Sequence, residues 1–219
     1  KDVDGEFMGI DVEIATEALH RMGYEPEFKL IVWENKNKLL EDGEVDCIWG
    51  CFSMNGREDK YLWAGPYLYS RQMVAVRMDS EIQKLKDLTG KMIAVQETSK
   101  AEEYFLRSDF EGIPDVSLVY CFSNMDEVFA ALRKNYVEAI CGHESALISF
   151  INTAPDEYRL LDESFLYSAL GVAFDIQYDE EFVEELFKTL GDMMNDGTIA
   201  AIVGKYGLDA EKSLGRGND

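Results

Sequence analysis

Gln72-Met73-Val74-Ala75-Val76-Arg77 is a short apolar run closed by a charge, and far downstream Leu170-Gly171-Val172-Ala173-Phe174 is another. Continuous apolar runs of this length read as strands buried on both faces. Between them, predicted strands over 92–96, 116–121 and 137–141 alternate with predicted helices over 101–108, 125–134 and 145–152. Such alternation predicts an α/β layout built on parallel sheets. Two strands that bracket a complete β-α-β-α-β-α unit suggest an inserted second lobe reached by two crossings of the chain. The expected division is 1–73 with 172–219 for the first lobe and 74–171 for the second.

Working outward, Ile10, Val12, Ile14, Ala15, Ala18, Leu19 and Met22 recur at helical spacing and Gly23 closes the segment, which predicts a helix over 11–22. A strand over 27–32, a helix over 35–41 ending at Asp42-Gly43, and an apolar strand over 45–52 follow. Ser123 with Asp126 three residues on resembles a cap for the helix over 125–134. Beyond Phe174 the period becomes helical for good, over 182–195 and 198–206, joined at Asp196-Gly197. The glycine-rich tail from Gly215 is expected to fray.

The chain has 43 Asp+Glu against 21 Lys+Arg, a formal net charge of −22, which repels a phosphate backbone and excludes nucleic acid as a partner. Apolar residues at 47% mark a folded body under an acidic coat rather than a disordered acidic chain. No apolar stretch approaches the roughly 18–20 residues needed to cross a bilayer. The opening run Lys1–Glu6 carries no basic and apolar leader pattern, so localisation is not read from it. Cys47, Cys51, Cys121 and Cys141 lack C-x-x-C spacing and read as buried free thiols, and two histidines are too few for a histidine-based metal centre. No cofactor is expected.

The motifs, in order, are Gly5-Glu6-Phe7-Met8-Gly9-Ile10-Asp11-Val12; Trp33 before a helix; Gly43-Glu44-Val45-Asp46; the loop Phe52-Ser53-Met54-Asn55-Gly56-Arg57 leading to Gly65-Pro66-Tyr67; Asp87-Leu88-Thr89-Gly90-Lys91; the turn from Val95 to Ser99; Asp196-Gly197-Thr198; and Lys205-Tyr206. Together they resemble the bacterial extracellular solute-binding proteins of family 3, the polar amino-acid class of type II periplasmic binding proteins. The resemblance runs nearly end to end. It implies an α/β, two-lobed fold with two crossing segments and a ligand in the interlobe cleft. It also implies extracytoplasmic binding of a small polar solute, an amino acid above all, without catalysis. The partner is then an ABC permease or, for a sensory ectodomain, an attached membrane signalling domain ending in a kinase or diguanylate cyclase. Trp49 to Asp59, His143-Glu144 and Gly171-Val172-Ala173-Phe174 are most similar to the sensory group. The alternative is an enzyme of the same fold, resembling prephenate or arogenate dehydratases, with Glu144 as general acid. Two departures stand out: Arg57 is one residue closer to Asp46 than in the family, and the family's first strand and an aromatic contact are expected to precede Lys1.

An α-amino acid offers a carboxylate, an ammonium and a side chain, so its site needs a planar cation, an acid and an apolar wall. The resemblance implies Arg57 for the carboxylate, the alternative being a surface salt bridge with Glu58 or Asp59. Ser53 stands beside it, as a donor or a turn cap. Thr98, Ser99 and Lys100 lie where a strand becomes a helix and amide groups favour an anion, or where Ser99 simply caps. Lys100 either reaches the ligand side chain or is solvated. Glu144 or His143 follows the 137–141 strand to meet the ammonium. Phe7, Trp33 and Phe52 supply the apolar wall or ordinary core.

Overall fold

In the computed structural model, which describes residues 5–107, 112 and 114–215, the chain forms two compact units. The first comprises Lys1–Ile31, Lys36–Ser70 and Ser168–Asp219; the second comprises Val32–Asn35 and Arg71–Tyr167. The last residue of the helix expected over 101–108 and the end of the glycine-rich tail lie outside the described residues.

The first unit opens with α1 (Ile10–Arg21), which starts after Gly9 and carries Asp11 and Glu13 in its first turn and His20 and Arg21 in its last. That polarity matches the helix dipole. Ile14, Ala15 and Ala18 form its buried face. Ile14 and Ala18 pack with α6 (Glu180–Asn195), which buries Val183, Leu186, Leu190 and Met193 at helical spacing. Asp179 caps α6 by accepting the Glu181 N–H at 3.0 Å. α7 (Thr198–Lys205) adds Ile199, Ile202 and Val203 to the same core, and the short α8 (Ala210–Ser213) follows. α2 (Lys36–Glu41) follows in sequence the 3-10 turn Trp33–Asn35, which is counted with the second unit. The strands are β1 (Cys47–Ile48), the first part of β2 (Leu62–Arg77) and most of β7 (Leu166–Phe174), in the order β1-β7-β2, with β1 and β7 antiparallel.

The second unit holds the rest of β2, then β3 (Met92–Gln96), α3 (Lys100–Leu106), β4 (Leu118–Phe122), α4 (Met125–Arg133), β5 (Ala139–His143), α5 (Glu144–Asn152) and β6 (Tyr158–Leu160). Its strand order is β2-β5-β3-β4, with β6 also on β2. Side chains alternate across a strand. Val74, Val76, Ile93, Val95, Ala139 and Cys141 therefore pack on one face with α3, while Met73, Ala75, Ala94 and Ile140 pack on the other with α4 and α5. Helices on both faces are why these strands are apolar throughout. Each fully buried valine or isoleucine contributes about 1.5–3 kcal/mol.

Several expectations are corrected. The sheet is mixed: β3 is parallel to β4 and β5, but β2 runs antiparallel to β5 and β6. The strand expected over 27–32 is extended backbone outside any named strand, with Leu30 and Val32 exposed. The strand expected over 45–52 shrinks to Cys47–Ile48, because Cys51 turns into the left-handed region at φ 49°. The strand expected over 72–77 is the end of a 16-residue one. It also runs through Gly65-Pro66, where β2 and β7 come very close: a Cβ on Gly65 would lie 2.9 Å from Gly171 Cα, and one on Gly171 would lie 2.8 Å from Trp63 Cε3. The α4 cap is Asn124, whose side chain accepts the Glu127 N–H at 3.0 Å. Glu127 in turn accepts from the Ser123 N–H and hydroxyl at 3.2 and 2.9 Å, so the cap lies one residue later than expected.

Candidate ligand-binding residues

The polar residues of the second unit collect at one end of its sheet. β3 and β5 are parallel neighbours, so Thr98-Ser99-Lys100 after β3 and His143-Glu144 at the end of β5 share that end. The carboxyl ends of parallel strands are the usual place for ligands in α/β sheets. β2 enters antiparallel to β5 with Gln72 opposite His143. That register brings Arg71 onto Glu144, bonding bidentately: Nε donates to Oε2 at 2.9 Å and Nη2 donates to Oε1. The two side chains are only 24% and 20% exposed. Gln72, fully buried, places Nε2 3.1 and 3.0 Å from the two ring nitrogens of His143, so it donates to whichever lacks the proton. Arg71 and Gln72 were not anticipated from the sequence. Their signal was a cation and an amide heading an otherwise apolar strand.

Ser99 caps α3: its hydroxyl accepts the Glu102 N–H at 3.2 Å, while Glu102 accepts the Thr98 N–H at 2.7 Å. This chain's own acid therefore sits at that helix start. Thr98 is exposed and takes a left-handed backbone at φ 55°. Lys100 is neither solvated nor extended. It is buried and pairs with Glu103 at 2.6 Å, which also accepts from Arg107 at 2.8 Å. Trp33, half-buried, opens the 3-10 turn.

In the first unit the loop after β1 is pinned to β7. Met54 N–H donates to the Ala169 carbonyl at 2.8 Å, Gly171 N–H donates to Phe52 O at 3.0 Å, and Ser53 bridges Leu170. The buried Ser53 hydroxyl donates to Asn55 Oδ1 at 3.0 Å, and that oxygen also accepts the Ala169 N–H at 2.9 Å. Arg57, half-buried, turns back so that Nη1 donates to Ser53 O at 3.1 Å and Cζ stands 5.2 Å from the Phe52 ring centroid. Phe52, Tyr61 and Trp63 form a triad with centroids 5.2–5.3 Å apart. Phe52 is buried in it, and Phe7 stacks instead on Phe28 at 5.7 Å. Beneath the loop, Asp11 accepts from Tyr67 OH at 2.6 Å, from Cys51 N–H at 3.1 Å and from Cys51 Sγ at 3.4 Å. Burial, only partly offset by those bonds, pushes its carboxyl above the usual range.

Burial likewise pushes the Cys47 and Cys121 thiols up to about 12, and raises Cys141, which makes them poor nucleophiles. Among the described residues no three His, Cys, Asp or Glu side chains gather as a metal site requires.

A family model, bacterial extracellular solute-binding proteins, family 3, matches residues 1–209. The L-cystine-binding protein TcyA of Bacillus subtilis (strain 168) is 25% identical over 217 residues, covering 97% of this chain and 77% of that protein. A Vibrio harveyi protein with the name "Putative amino-acid ABC transporter-binding protein PatH" is 26% identical over 211 residues, covering 94% of this chain and 83% of its own length. A solved structure of an ancestral arginine-binding protein bound to arginine matches with TM-score 0.83 and 25% identity, over 94% of this chain and 91% of that one.

Proposed function

The chain belongs to the bacterial extracellular solute-binding proteins of family 3, and from that premise we propose that it binds an α-amino acid outside the cytoplasm and delivers it to an ABC-type permease. The two units serve as the lobes.

The observation that carries this reading is Arg57. Its guanidinium is held over an aromatic ring and tethered to a backbone carbonyl on a pinned loop. A planar cation fixed in this way suits a carboxylate, which it can grip bidentately. In the second unit Glu144 supplies the acceptor for an ammonium. Arg71 occupies part of its oxygen lone pairs and orients the rest. His143, set by Gln72, borders it. Ser99 keeps its capping role and borders the ligand through its backbone.

Uptake is favoured over sensing because the Vibrio relative's name points to an ABC transporter; the sensory reading rests on the sequence likeness alone. A non-catalytic role is favoured because Glu144 accepts two hydrogen bonds from Arg71, the posture of an acceptor rather than of a proton donor. No helix among the described residues is long and apolar enough to cross a membrane.

The test is a thermal-shift screen of the common amino acids with native mass spectrometry of the purified protein. Binding to the native state alone adds about 2.7 kcal/mol at a hundredfold excess over Kd, which raises the melting temperature by several degrees. A shift by sugars with none by any amino acid refutes the assignment.

A further inference from the structure

Asp11 stands in the first turn of α1, where a carboxylate suits the helix dipole, yet its oxygens bond away from that helix. Oδ1 accepts from the OH of Tyr67, a fully buried residue of β2, at 2.6 Å. Oδ2 accepts from the Cys51 N–H at 3.1 Å and from its thiol at 3.4 Å. One carboxylate thus fastens α1 to β2 and to the turn that follows β1. Burying it is unfavourable, and these bonds offset that cost only in part.

The turn it fastens is itself strained. Cys51 has φ 49°, in the left-handed region that L side chains rarely occupy. Such a residue keeps its conformation only where the surroundings over-determine it, and the bond from its N–H to Asp11 is one such constraint. Two groups that orient Arg57 follow at once. Phe52 lays its ring centroid 5.2 Å from Arg57 Cζ, and the Ser53 carbonyl accepts from Nη1 at 3.1 Å. Beyond them the loop is pinned to β7 through Phe52 O and the Met54 N–H, and Trp63 Nε1 donates to Arg57 O at 3.1 Å. Those bonds hold the far side of the loop, and Asp11 sets the direction in which the chain enters it. With Cys51 back in the extended region, Phe52 and Ser53 would turn away from the guanidinium.

We propose that Asp11 is a positioning residue for recognition: it holds Cys51 in its left-handed turn, and through Phe52 and Ser53 aims Arg57 at the ligand carboxylate. This rests on the reading of Arg57 as the carboxylate ligand. Asp11 acts through the backbone and not on the solute. Asparagine can serve the same turn, because its Oδ1 accepts the Cys51 N–H while its Nδ2 donates to the Tyr67 oxygen, a hydroxyl that accepts as well as donates. Alanine cannot.

Calorimetry of the purified chain and its variants with each of the common L-amino acids and L-cystine tests this, with melts followed by circular dichroism to show that each variant is folded. Asp11→Ala is expected to weaken binding about tenfold or more, and Asp11→Asn to stay within about threefold of wild type. A residue that acts through Arg57 loses its effect once the guanidinium is gone, so on an Arg57→Ala background Asp11→Ala should change Kd less than about twofold. If Arg57→Ala binds too weakly to titrate, the contrast between alanine and asparagine at position 11 decides. If Asp11→Ala does not melt cooperatively, Cys51→Val replaces it, since a β-branched side chain disfavours φ 49°, and the same loss is expected. A folded variant that binds like wild type, an asparagine that fails to rescue, or a loss of equal size on both backgrounds makes Asp11 a strut of the first unit and overturns the proposal, while Arg57→Ala still weakens binding. Unchanged binding by Arg57→Ala, or binding of none of these amino acids by the wild type, overturns the reading of Arg57 and the proposal with it.

Discussion

Removing Arg71 separates the structural from the recognition role of Glu144. The pair is three-quarters or more buried on each side and bonded twice. A hydrogen bond to a charged group contributes about 1.5–3 kcal/mol, and breaking a fully buried ion pair costs about 3–5 kcal/mol because one charge is left stranded. Here each side chain keeps a fifth to a quarter of its exposure, so water partly rehydrates the survivor and about 2 kcal/mol is expected for Arg71→Met. Glu144→Gln is expected to cost about 1.5 kcal/mol, since the amide retains one acceptor. The double variant leaves no charge behind and is expected to cost less than the sum, with a coupling of about 1–2 kcal/mol. Urea unfolding of the four proteins followed by circular dichroism measures that cycle. Strict additivity refutes the pairing. Ligand titration adds the second readout: Glu144→Gln should weaken amino-acid binding at least tenfold, roughly 1.4 kcal/mol. If the variant loses stability but no affinity, Glu144 is a strut of the second unit and the ammonium partner is His143 or another residue.

Arg57→Ala is expected to weaken amino-acid binding by about 2–5 kcal/mol, read by calorimetry, with Arg57→Lys recovering only part because an ammonium cannot grip a carboxylate bidentately. An unchanged Kd removes Arg57 from the site. Glu13 accepts from Lys205 Nζ at 2.6 Å and from Tyr206 OH at 2.7 Å, and these bonds hold its carboxyl below the usual value of 4.5. Its stabilisation is therefore complete above about pH 4.5 and is lost as pH falls through the lowered value. Glu13→Gln should cost about 0.5–1 kcal/mol at neutral pH, the pair being part-exposed, and the difference from wild type should vanish on acidification; a difference that grows at low pH contradicts the assignment.

Local pattern carried the sequence reading a long way in the second unit. Met92–Gln96 is bounded by Gly90-Lys91 and Glu97, so both of its ends were visible as changes of composition, and the structure places β3 on those residues. Strand direction was not visible in the same way. Alternation of strand and helix implies parallel neighbours, yet β2 meets β5 antiparallel because it is not the preceding element of a β-α-β step but a long strand entering from the first unit. The same blindness hid Arg71 and Gln72. They matter only through register with His143 and Glu144, and no period in the chain reports a register across so long a separation. The burial of Lys100 was hidden for a different reason: in sequence it is one more lysine of an acidic coat, and only the fold shows it buried on Glu103.

Charge counted along the chain does not set how tightly a ligand is held, and the reason is physical. The net −22 describes groups that water and salt largely screen. Asp42, Glu44 and Glu58 belong to that coat, all exposed on the same stretch that carries Lys36 and Arg57. Affinity depends instead on the few charges withdrawn from water, because there the interaction between a ligand group and a side chain is several times stronger. Lys36 and Lys100 are withdrawn, Lys100 onto Glu103, and Arg57 is half so. The net charge of the coat therefore does not decide the charge of the ligand that an acidic protein can hold. For a ligand of net negative charge the acidic coat slows approach without setting how tightly it is held, so raising the salt concentration should quicken its association more than it loosens the complex.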